Sequence, residues 1–65
     1  MILMKKLRKE KGWSGSRLAR EAEMNQSSIS QIENGRINPY PIQIEKIAKA
    51  LNWQGDPQEL FAETE

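Results

Sequence analysis

The chain has 65 residues, no cysteine and no histidine, and a formal net charge of +1. A chain this short builds one small domain, here with no disulfide to staple it, and it lacks the usual zinc ligands and the usual general base, which argues against an enzyme, a metal site or a cofactor. The small net charge conceals a polarity: residues 1–20 hold seven of the ten cations and one of the nine acids, so the basic end is suited to face a polyanion, although a merely solvated charged helix would read the same way.

The longest apolar run, Met1 to Met4, is too short for a membrane span or a signal peptide, so a cytoplasmic protein with no membrane association is expected. From Ile2 to Lys11 the chain reads as a first helix, with Leu3, Met4 and Leu7 on one edge, basic residues on the other, and Gly12 as its stop. Ser14 caps a second helix to Ala22, whose inward face is Leu18, Ala19 and Ala22, and Trp13 is placed to staple its start.

Only Glu23 and Met24 then separate Ala22 from Asn25, so the second and third helices turn sharply against each other, which is helix-turn-helix spacing. Asn25 is the expected side-chain cap of the third helix and Gly35 its terminator. Between them Ile29 and Ile32 form a narrow apolar stripe, which leaves Gln26, Ser27, Ser30 and Gln31 on the outer face. Two isoleucines cannot hold so short a helix in water, so neighbouring helices must clamp the stripe.

After an Asn38-Pro39 loop step, Pro41 starts a fourth helix to Leu51, where Ile44, Ile47, Ala48 and Leu51 follow the i, i+3, i+4, i+7 pattern and Asn52 takes the left-handed cap. Asp56-Pro57-Gln58-Glu59 is a capping-box start for a fifth helix, residues 56–62, that buries Leu60 and Phe61, and the tail Glu63-Thr64-Glu65 is expected to fray. The reading is thus all-α: a single domain over residues 1–65, with helices at about 2–11, 14–22, 25–34, 41–51 and 56–62.

Taken together, Leu7-Arg8, Gly12-Trp13-Ser14, Leu18-Ala19, Ser28 through Gly35, Asn38-Pro39 and Ile44 through Leu51 resemble the lambda-repressor-like, Cro-type (XRE) helix-turn-helix family over nearly the whole chain. The resemblance implies a sequence-specific, double-stranded DNA-binding transcriptional regulator, most simply a repressor acting as a homodimer on an operator, with no small-molecule effector evident. It implies base contacts from Gln26 and Gln31, whose carboxamides match the donor and acceptor edge of adenine, and from Ser27 and Ser30. It implies phosphate contacts from Gly15, Arg17, Asn34, Gly35, Arg36 and Asn38, with Lys11 a looser candidate. It also implies an ion pair between Arg8 and Glu33 that orients the recognition helix, where the plainer alternative is a surface salt bridge worth about 0–1 kcal/mol.

Two positions depart from the family pattern. Gly15 stands where a phosphate-touching glutamine is usual, and Glu23 stands where the turn usually has glycine. Trp53 falls at a position of smaller core residues, either filling the core or offering a dimer contact. The competing reading is a helical protein-interaction module that kept the fold and lost DNA binding.

Overall fold

The computed structural model describes residues 1–64. Four α-helices and one 3-10 turn come in order: α1 (Leu3–Glu10), α2 (Gly15–Glu21), α3 (Gln26–Glu33), α4 (Pro41–Ala50) and the turn Pro57–Phe61. The fold is all-helical, but the expected fifth α-helix is a single 3-10 stretch. Its start is written as the sequence suggests, since Asp56 Oδ1 accepts from the Gln58 N–H at 3.0 Å and Glu59 Oε1 accepts from the Asp56 N–H at 3.2 Å. Its length is cut at the next residue: Ala62 is already extended, at ψ 147°, and its carbonyl accepts from the Leu3 N–H at 3.0 Å.

The expected fraying of the tail is corrected at Glu63 and Thr64, and Glu65 lies outside the described residues. Glu63 forms an antiparallel bridge with Ile2, and the Thr64 N–H donates to the Met1 carbonyl at 2.8 Å. The two ends of the described chain therefore close on one another.

All four α-helices end in the same way. The first residue beyond each C-cap is left-handed, namely Gly12, Glu23, Gly35 and Asn52, at φ of 73°, 56°, 72° and 56°. The N–H of the next residue returns to the carbonyl five positions back, from Trp13 to Arg8, Met24 to Ala19, Arg36 to Gln31 and Trp53 to Ala48, at 2.8–3.1 Å. This is the Schellman arrangement, which satisfies orphan carbonyls and drops an apolar residue back onto the helix. Trp13, Met24 and Trp53 are those residues, and each is half-buried against the core.

That core is built from every element at once. Its fully buried side chains are Met4, Leu18, Ile29, Ile47 and Leu60, one from each helix and one from the 3-10 turn. Ala19, Ala22 and Ala48, small enough to let helices approach closely, are buried beside them together with Ile32 and Leu51. α2 and α3 make the most extensive helix–helix contact, while the 3-10 turn wedges between α1 and α4.

Candidate nucleic-acid interface

The helix ends fix the geometry of the site. Ser14 Oγ accepts from the Arg17 N–H at 3.1 Å and caps α2, as its sequence position predicts. Asn25 does not cap α3 with its side chain, contrary to expectation; only its backbone carbonyl enters the helix, accepting from the Ile29 N–H at 3.2 Å. Between α2 and α3 the chain reverses through Glu23, whose left-handed backbone a side-chain-bearing residue adopts at a cost of about 1–2 kcal/mol.

With Ile29 and Ile32 buried, α3 turns Gln26, Ser27, Ser30 and Gln31 to solvent. Asn34, Gly35, Arg36 and Asn38 continue that exposed strip beyond the helix end. Asn34 and Ser30 are coupled, the Asn34 carboxamide donating to Ser30 Oγ at 3.4 Å. The strip offers amides at Gln26 and Gln31 that have no partner among the described residues, hydroxyls at Ser27 and Ser30, and a cation at Arg36. That mixture suits hydrogen bonding to base edges flanked by an anion.

Arg8 and Glu33 lie behind this face. Arg8 Nε donates to Glu33 Oε2 at 2.8 Å and Nη2 to Glu33 Oε1 at 3.0 Å, a two-pronged pair joining α1 to α3. Arg8 Nη1 donates to the Trp13 carbonyl at 2.8 Å. The side chains are only 11% and 7% exposed, so this is not the ordinary surface salt bridge that stood as the alternative. Because both prongs of the fork are used, the pair fixes rotation as well as distance.

Arg17 and Gly15 lie at the start of α2, away from the α3 strip in sequence. Gly15 has an ordinary φ, and a Cβ there would meet nothing within 4 Å, so its lack of a side chain is not forced by packing. Arg17 is not free: its Nε donates to Glu21 Oε2 at 2.9 Å, and its guanidinium carbon lies 4.8 Å from the centre of the Trp13 ring. Lys11 Nζ is 5.3 Å from the same ring. The Arg17–Glu21 pair has i, i+4 spacing and is legible in the sequence; the role of Trp13 in collecting both cations is not.

Two further features carry no periodic signal. Tyr40 and Ile42, on either side of Pro41, are 70% and 58% exposed. Trp53, by contrast, is half-buried, and its Nε1 donates to the Asp56 carbonyl at 2.9 Å, which ties the α4 connection to the 3-10 turn. Among the described residues no helix is long and apolar enough to cross a membrane.

A family model described as helix-turn-helix matches residues 4–56. A competence pilus inhibition repressor from Acinetobacter baylyi (strain ATCC 33305 / BD413 / ADP1) is 41% identical over 46 residues, which is 71% of this chain and 42% of that protein. The chain thus spans less than half the length of this relative. No solved structure matches it.

Proposed function

The chain belongs to the Cro-type (XRE) helix-turn-helix family, and from that membership we infer that it binds double-stranded DNA sequence-specifically and represses transcription by occupying an operator. The observation that carries the reading is the exposed amide and hydroxyl face of α3, held by a buried two-pronged ion pair to α1. In this reading α3 lies in the major groove. Gln26 and Gln31 address base edges, Ser27 and Ser30 make shorter contacts, and Gly15, Arg17, Asn34, Gly35, Arg36 and Asn38 line the phosphates. Arg8 and Glu33 orient the helix.

A homodimer fits the dimensions. Half-sites one helical turn apart lie about 34 Å centre to centre, and the Cα trace extends 25 × 24 × 21 Å, so two copies sit side by side without overlap. The name of the Acinetobacter relative supports the repressor sign.

Titration of mixed-sequence duplex DNA at two salt concentrations tests the reading. Binding that weakens steeply with salt is expected, and its absence at low salt would support the protein-interaction alternative. Selection of bound sequences from a random pool then reads out the operator and its half-site spacing. Gln26→Ala is expected to relax preference at one base position at a cost of about 1–3 kcal/mol, whereas Arg36→Ala weakens all sequences alike.

A further inference from the structure

Among the described residues four large hydrophobic side chains are exposed, and three of them, Ile37, Tyr40 and Ile42, fall within six residues around the start of α4. Tyr40 and Ile42 border an open groove of about 510 Å³ between that start and the α2–α3 turn. Glu23, Met24, Asn25 and Ser28 form the turn wall of the groove, and Tyr40, Ile42 and Lys46 the α4 wall. The groove runs on between the end of α2 and the later part of α4, with Glu21 and Glu23 on the α2 side and Lys46 and Lys49 on the α4 side. Exposed apolar groups rimmed by charge mark association surfaces.

The charges select the occupant. One wall carries acids and the other lysines, and Glu23, Lys46 and Lys49 have no ion pair among the described residues. A two-fold axis running along the groove would set each turn wall against the α4 wall of a second copy. Each Glu23 would then meet the other copy's Lys46, with Met24, Tyr40 and Ile42 of both copies between the two ion pairs. An isologous contact needs a patch that is self-complementary in this way. A standard interface buries about 800 Å² per partner, about a fifth of the 4353 Å² that this chain exposes. A few apolar side chains and one repeated ion pair cover less, so the pair is transient, with a dissociation constant on the order of 0.1–1 mM.

Such a pair is not the side-by-side arrangement that spans two half-sites. Asn25 and Ser28 belong to the start of α3, so closing the groove on a second copy brings both α3 starts to the axis. Packed helices lie about 10 Å apart, and the midpoint of an eight-residue helix is about 6 Å from its start, which leaves the two midpoints no more than about 22 Å apart. Adjacent half-sites require about 34 Å. We propose that, off DNA, the chain pairs with a second copy of itself through this groove, and that the pair masks the start of α3 and opens before duplex binds. The masking rests on the DNA-binding reading, whereas the pairing does not.

Sedimentation equilibrium without DNA tests the pairing. The wild-type chain is expected to shift toward dimer as its concentration approaches about 1 mM. Glu23→Lys and Lys46→Glu are each expected to stay monomeric, because each sets like charges opposite one another. An equimolar mixture of the two variants should dimerise again, since every Glu23–Lys46 position across the groove is then occupied by opposite charges. Ile42→Gln alters an exposed side chain, is expected to be monomeric, and keeps the test standing if thermal melting shows that a charge variant fails to fold. A wild-type chain that is monomeric at about 1 mM, dimerisation unchanged in all three variants, or a mixture of folded charge variants as monomeric as its components would overturn the pairing.

The masking is read in a mixture of isotope-labelled and unlabelled wild-type chains. Nuclear Overhauser effects between the Ile42 methyls of one copy and the Tyr40 ring of the other are expected without DNA, and should vanish as mixed-sequence duplex is added at low salt. Effects that persist on the duplex-bound chain would overturn the masking. A chain that ignores duplex would overturn the DNA-binding reading and the masking with it, and leave the pairing, measured without DNA, in place.

Discussion

Three of the five Arg8 N–H groups are used inside the protein, two on Glu33 and one on the Trp13 carbonyl. Removing one partner of a buried pair leaves the other charge uncompensated, at a cost of about 3–5 kcal/mol. A domain of this length has a total stability of only about 3–10 kcal/mol. Glu33→Ala is therefore expected to leave a large fraction of the chain unfolded in a urea titration, and Glu33→Gln, which keeps an acceptor, to cost less. The double replacement Arg8→Leu with Glu33→Leu separates structure from function. An apolar pair in the same space should recover most of the stability, whereas DNA affinity stays low if the ion pair orients α3. Recovery of both would reduce the pair to a packing element. Glu23 carries the opposite expectation: Glu23→Gly relieves about 1–2 kcal/mol of left-handed strain and loses about 0.5–1 to the greater freedom of unfolded glycine, so the thermal midpoint should rise slightly.

At the scale of elements, each helix is held by its two ends, and those are unequal. Ser14→Ala removes the side chain that accepts the Arg17 N–H at the start of α2, and should cost about 1 kcal/mol. Asn25→Ala removes a side chain that makes no such bond and should cost no more than a few tenths, both measured by urea denaturation. The periodic apolar positions of α3 and α4 are legible in the sequence because burial in a helix repeats every three or four residues: Ile29, Ile32, Ile44, Ile47 and Ala48 are all buried. The outward residues of α3 are their complement. Other features leave no such trace. A capping box marks where a helix starts and not how far it runs, so Asp56 and Glu59 are readable while the 3-10 geometry is set by a pairing with residues some sixty positions away. Asn25 has the right chemistry for a cap, yet its side chain makes no cap hydrogen bond, a geometry that composition does not encode. The gathering of Lys11 and Arg17 depends on where the α1 terminator points the Trp13 ring, a backbone event visible only once φ at Gly12 is known.

At the scale of the whole molecule, no helix among the described residues exceeds ten residues, and isolated helices of that length are marginal in water. Stability has to come from the shared core, so the least helical element matters as much as the helices. Leu60 sits in a five-residue 3-10 turn and is fully buried, with the turn wedged between α1 and α4 and leading into the chain that bridges back to Ile2. Truncating a buried leucine to alanine costs about 2–5 kcal/mol, which is comparable with the whole stability of a domain this size. Leu60→Ala is therefore expected to lower the thermal midpoint steeply and, in hydrogen exchange, to deprotect α1 together with the terminal pairing. Because α1 carries Arg8, the loss should reach α3 through Glu33, and duplex affinity should fall although residue 60 lies in a different element from the proposed reading face. Saturating duplex should restore part of the midpoint, since a ligand that binds only the folded state pulls the equilibrium toward it. If Leu60→Ala melts at the wild-type midpoint, the 3-10 turn lies outside the cooperative core. If it melts early and duplex gives no recovery, the fold and the proposed DNA surface are not linked in the way that the Arg8–Glu33 pair requires.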